Sequence, residues 1–226
     1  MAHTSESITA DVKAALKNPV TLYQQPFTKR AGYNQRFSEI AADVLLRSFN
    51  KGAYIITKVD RHEGYYISSH ADLAKEKRPR KTNQKEKWDA REKFGHSFKD
   101  IGKIIDFETP LYTSEDKSVG AIDLLAYDEQ SDTLTILEYK RKDNKEPLLR
   151  CVLEAYTYKT VVELNKDRFI KDFQVLIPKL SVDNTKINAA VFVYKGSRPY
   201  FHYNQSEDTK IRKLMNALNV SLIVID

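Results

Sequence analysis

The chain has 226 residues, 41% of them hydrophobic and 30% charged, and 37 Lys and Arg against 31 Asp and Glu leave a formal net charge of +6. This composition suits a globular protein with a substantial core. It argues against a disulfide-stapled scaffold, because Cys151 is the one cysteine, and no apolar run approaches the ~20 residues of a helical membrane span.

The first residues carry no basic stretch followed by an apolar one, so no secretory signal is expected. With a single cysteine, a reducing, cytoplasmic setting is expected. No repeat of roughly 20–50 residues occurs, and a single domain over 1–226 is expected. Residues 1–34 read as a peripheral arm, with a short helix over Ala10 to Leu16 and with Pro19 and Pro26 breaking regular structure after it. Phe37, Ile40, Ala41, Val44 and Leu45 recur at helical spacing and predict an amphipathic helix over Arg36 to Phe49. Ala53 to Val59 and Gly64 to Ser68 are rich in Tyr and Ile and predict a hairpin. Lys75 to Lys87 has no apolar residue apart from Pro79 and reads as an exposed basic loop. It is either a solvated linker or a phosphate-contacting loop, in which case Arg78, Arg80 and Lys81 are its contacts. A helix over Lys85 to Phe98 comes next, with Trp88, Phe94 and Phe98 inward.

Three strands are then predicted, Ile104 to Tyr112, Gly120 to Tyr127 and Thr133 to Lys140, separated by polar turns. Pro147 suits the first turn of a helix running to Leu164. Phe173 to Ile177 and Ala189 to Tyr194 read as apolar strands, with Arg198 to Tyr203 pairing with the latter. A helix over Thr209 to Leu218 and a strand over Val220 to Ile225 complete an α/β sandwich with a mixed sheet.

Charges inside two of these strands stand out. Strand side chains alternate faces, so Glu138 and Lys140 share a face of the third strand, while Asp123 points with Ala121 and Leu125 from the second. In a suitable register the three converge at one end of the sheet. Unpaired buried charge is costly, so such groups pair or hold a metal. Two neighbouring carboxylates offer hard oxygen ligands that suit Mg²⁺ or Mn²⁺. A metal so held lowers the pKa of bound water and stabilises a phosphoryl oxygen, and a lysine beside it orients the water. The pattern therefore points to phosphodiester hydrolysis. A surface pair of Glu138 with Lys140 or Arg141 is the simpler reading of the Glu-x-Lys triplet alone.

Gly120-Ala121-Ile122-Asp123 together with Leu137-Glu138-Tyr139-Lys140 resembles the signature of the PD-(D/E)XK nuclease superfamily, with Ile122 in place of the motif's Pro. The resemblance implies a restriction endonuclease-like α-β-β-β-α-β core, here residues 85–178, in a three-layer α/β/α sandwich. It implies that Asp123 and Glu138 bind Mg²⁺ and that Lys140 assists the water. Many members carry Gln-x-x-x-Tyr on the next helix, and Glu154-x-x-x-Tyr158 takes that place. The third acid either widens the metal site or pairs with Arg150. A further acid on the helix before the core corresponds to Glu92, or to Glu39 if residues 50–100 are an insertion.

The five histidines show no metal-ligand spacing, and no glycine-rich phosphate loop is present. Tyr65, Tyr66, Tyr200, Phe201 and Tyr203 either stack on bases or pack within the fold. The expected function is a Mg²⁺- or Mn²⁺-dependent nuclease acting on DNA, with Arg141, Lys142 and Lys145 joining the basic loop at phosphates, and a homodimer is compatible with it. The alternatives are a nucleic-acid- or protein-binding module on the same fold that does not cut, and metal-dependent chemistry on another phosphoester.

Overall fold

A computed structural model describes residues 4–29, 34–56, 61, 63–79, 84–113 and 119–226. In chain order its regular elements are α1 (Ser5–Ala15), two 3-10 turns (Pro19–Gln24 and Pro26–Thr28), α2 (Gln35–Asn50), α3 (His70–Leu73), α4 (Lys85–Arg91), β1 (Ser97–Phe98), β2 (Gly102–Pro110), β3 (Ala121–Asp128), β4 (Thr133–Lys140), α5 (Leu148–Leu164), α6 (Lys166–Phe173), β5 (Lys186–Tyr194), α7 (Arg198–Asn204), α8 (Lys210–Leu218) and β6 (Val220–Ile225). The class is α/β: six strands form one mixed sheet in the order β1-β2-β3-β4-β5-β6. Among the described residues no helix is long and apolar enough to cross a membrane.

The chain divides into two compact units. The first comprises 1–57, 140–157 and 191–226. Its α1 starts at Thr4, whose hydroxyl accepts the Ser7 N–H while Ser7 returns the bond, a capping box that satisfies two otherwise orphaned donors. Ile8 and Val12, four residues apart, are fully buried on one face of α1, and Leu22, Tyr23 and Phe27 follow them into the core. The stretch expected to be a peripheral arm thus supplies core residues. α2 buries Ala41, Ala42, Val44 and Leu45 and packs against α1 and α8. α8 buries Ile211, Leu214, Met215 and Leu218, and its first N–H groups are met by Thr209 and by the Glu39 carboxylate, which accepts from Lys210 N–H at 2.5 Å.

The second unit comprises 58–139 and 158–190. β1, β2, β3 and β4 pair successively antiparallel. Every residue of β4 is buried, including Thr133, Thr135, Glu138 and Lys140, so polar side chains of this strand lie inside the fold. Gly102 opens β2 at φ +74, and a Cβ there would lie 2.2 Å from the Tyr127 carbonyl oxygen, so only glycine fits. His70 Nδ1 meets Asp106 Oδ1 at 2.7 Å, Thr109 Oγ1 donates to Asp106 Oδ2 at 2.7 Å, and the imidazole stacks on Phe107, so this buried polar group is internally satisfied.

Several elements differ from expectation. The described residues 53–56 and 63–68 carry no strand, and 57–60 and 62 lie outside the described residues. The helix expected to reach Phe98 ends at Arg91. Gly95, at φ +80, turns the chain into β1, and Trp88, Phe94 and Phe98 are only half-buried. The apolar run at Phe173–Ile177 is not a strand. Phe169, Ile170 and Phe173 are the buried face of α6, and Val175 just beyond it is 76% exposed. Arg198–Tyr203 lies in α7, not in a strand, with Pro199 in its first turn.

Candidate active site

The β3–β4 ladder runs in register from Leu124↔Leu137 to Asp128↔Thr133. One step beyond its end, Asp123 stands opposite Glu138. There Asp123 Oδ2 accepts the Tyr139 backbone N–H at 3.0 Å, so a side chain takes over from the backbone where the ladder stops. On the other edge of β3, the pairs Phe107↔Leu124 and Thr109↔Ile122 bracket a position at which Glu108 stands opposite Asp123. Glu108, Asp123 and Glu138 therefore occupy one row across three adjacent strands.

Glu108 has φ +48, a left-handed conformation that costs a non-glycine residue on the order of 1 kcal/mol. Glu108 and Asp123 line one cavity of about 410 Å³ with Gln84, Glu86, Lys87, Ala90 and Ala121. The Glu108 carboxylate meets Lys87 Nζ at 2.6 Å and Arg91 Nη2 at 3.0 Å. Burial pushes this carboxyl upward, but hydrogen bonds and charge from Lys87 and Arg91 outweigh burial and hold it below the usual glutamate value. Arg91 also places its guanidinium 4.8 Å from the centre of the Trp88 ring.

Glu138 is 1% exposed and Lys140 4%, and alternation puts both on one face of β4. Lys140 Nζ lies 3.0 Å from Glu146 Oε2. Glu146 Oε1 in turn lies 2.5 Å from Arg150 Nη1, and Arg150 Nε lies 3.7 Å from Glu154 Oε2. Charges of alternating sign thus run from β4 through the following loop onto α5. Burial pushes the Glu146 carboxyl up, but the charges of Lys140 and Arg150 prevail and hold it below the ordinary value. Carboxylate oxygens are hard donors that suit Mg²⁺ or Mn²⁺ and do not suit a thiophilic metal. Tyr158, one turn beyond Glu154 on α5, is buried.

Glu108 and Glu146 were not among the residues expected at the site. Glu146 carried a legible signal: the i, i+4 spacing of Arg150 and Glu154 extends one step back to it. Glu108 carried none, since its place depends on the β2–β3 register. Of the expected acids upstream, Glu92 caps the end of α4, is 60% exposed and lies 4.0 Å from Arg78, outside the lining of the Asp123 cavity. Glu39 serves the start of α8.

The expected phosphate contacts separate into groups. Arg78 is engaged with Asp89 at 2.6 Å and Arg141 with Asp143 at 2.9 Å. Lys142 and Lys145 are exposed, with no ion pair among the described residues. Arg80 and Lys81 lie outside the described residues. No family model, no curated protein and no solved structure matches this chain, so the functional reading rests on the residues and their geometry.

Proposed function

We propose that the chain is a metal-dependent nuclease of the PD-(D/E)XK type, hydrolysing phosphodiester bonds in nucleic acid, with DNA as the first substrate to test. The observation that carries this reading is the position of Asp123 opposite Glu138 at the end of the β3–β4 ladder, with Lys140 on the Glu138 face of β4. The succession α4-β2-β3-β4-α5, with β5 following after the added α6, supports a restriction endonuclease-like core within a three-layer sandwich.

Asp123 and Glu138 would hold Mg²⁺ or Mn²⁺. The ion's contribution, when bound, is to lower the pKa of water and neutralise phosphoryl charge. Lys140, whose ammonium is held in an ion pair with Glu146, would orient the attacking water or steady a phosphoryl oxygen. The charges of Lys140 and Arg150 hold the Glu146 carboxyl below its ordinary value and so favour its ionised form, the state in which a carboxylate binds a cation.

The test is incubation with single-stranded, double-stranded and branched DNA and RNA in Mg²⁺, Mn²⁺ or EDTA. Asp123→Asn keeps an acceptor for the Tyr139 N–H while removing the charge. Divalent-dependent cleavage is expected, falling by about 10²-fold or more in Asp123→Asn and in Lys140→Ala. Full cleavage by both folded variants would overturn the assignment, and binding without any cleavage would favour a module that does not cut.

A further inference from the structure

Beyond β5 the chain builds a groove that the proposed chemistry does not use. Lys195 N–H donates to Ile225 O at 2.8 Å, and Gly196 at φ +86 then turns the chain so that Ser197 N–H reaches Tyr194 O at 3.1 Å. α7 starts there and presents Tyr200 and Phe201, their ring centres 5.7 Å apart at 70°. The groove, about 580 Å³, is lined by Lys142, Lys195, Gly196, Tyr200, Phe201 and Asp226. Arg198 Nη1 donates to Lys145 O at 3.4 Å, which ties α7 to the loop that carries Lys142 and Lys145.

Two properties define which ligand fits. Phe201 leaves 58% of its surface in water, an exposed aromatic face where packing alone would bury it. Of the lining, Lys142 and Lys195 are exposed without an ion pair among the described residues, against one acid, Asp226, and Lys145 is exposed likewise on the adjoining loop. Aromatic rings flanked by exposed cations match a chain whose bases have open π-faces and whose backbone carries phosphates. A duplex keeps its bases stacked on one another and offers no such face to Phe201. The position is also continuous with the proposed reaction: Lys142 follows Lys140 by two residues, about 7 Å along an extended chain.

We propose that this groove binds a single-stranded segment of nucleic acid, with a base stacked on Phe201 and backbone phosphates at Lys142 and Lys195. The inference rests on the nuclease reading only for the class of substrate.

Fluorescence anisotropy of a labelled single-stranded oligonucleotide, measured in EDTA so that cleavage plays no part, tests it. Phe201→Ala is expected to weaken single-strand binding about tenfold or more, and Phe201→Trp to restore it, with a blunt duplex of equal length unaffected. The double variant Lys142→Ala/Lys195→Ala is expected to lower the slope of log affinity against log salt by about 1.4 for the single strand. Affinity and salt slope unchanged in all of these variants would overturn the groove. So would loss of self-association in Phe201→Ala with oligonucleotide affinity intact, which would assign the face to a second copy of the chain. The two readings fail separately. Groove-dependent binding without cleavage sinks the nuclease and leaves the groove, and cleavage with binding indifferent to Phe201 does the reverse.

Discussion

At the scale of the residue, Glu108 shows how position and charge combine. It takes a left-handed backbone inside a strand and shares a cavity with Asp123, and two cations hold its carboxyl below the ordinary glutamate value. A carboxyl lowered on folding contributes its full stabilisation above the unfolded value, about 4.3, and loses it as pH falls through the lowered folded value. Glu108→Gln is therefore expected to cost about 1–3 kcal/mol at pH 7, and less below the unfolded value, where the wild-type contribution is progressively lost. Urea unfolding on both sides of that value checks this, and an equal loss on both would exclude the ion pairs with Lys87 and Arg91 as the cause. Alternation along β4 made Glu138 and Lys140 legible as a same-face pair from the sequence. Glu108 was not legible, because a residue opposite Asp123 can be named only once the register is known, and a positive φ inside a strand has no sequence mark when the residue is Glu.

At the scale of the element, periodicity served where a segment was long or strictly patterned. α2, β3, α5 and α8 fall within one or two residues of expectation, and β4 and β6 agree in full. It failed on short aromatic runs. Phe169, Ile170 and Phe173 are one buried helical stripe, but Phe173 to Ile177 taken alone mimics a buried strand. At Arg198, the Ser197-Arg198-Pro199 start was a helix signal outweighed by the β-propensity of Tyr200, Phe201 and Tyr203. β2 depends on one position. Gly102→Ala would place a methyl 2.2 Å from the Tyr127 carbonyl oxygen and 2.5 Å from Asp128 Cα, while holding φ at +74. A loss of about 3 kcal/mol or more is expected. Gly52→Ala, also at positive φ but with open space around its Cβ, is expected to cost only about 1 kcal/mol. Thermal unfolding of the two variants side by side separates steric clash from backbone strain.

At the scale of the whole molecule, a bound cation should be visible in stability before any substrate is found. Mg²⁺ at 100 times its dissociation constant would add about 2.7 kcal/mol, or roughly 5–11 °C in melting temperature for a chain of this length. Glu138→Gln is expected to abolish that shift, and a melting temperature indifferent to Mg²⁺ and Mn²⁺ would remove the metal from the proposal. The α/β class followed from the order of helices and strands. The core role of Ile8, Val12 and Leu22 did not, because two prolines and a polar start resemble a free arm until the helix carrying Ile8 and Val12 is seen to bury one face.

Trp88 is the one tryptophan in the chain. It stands on the helix that lines the Asp123 cavity, under the guanidinium that also holds Glu108. The cavity therefore carries its own optical probe. A ligand that competes for Glu108 or Arg91 alters the field at a single indole, and its arrival can be titrated by intrinsic fluorescence with no label attached.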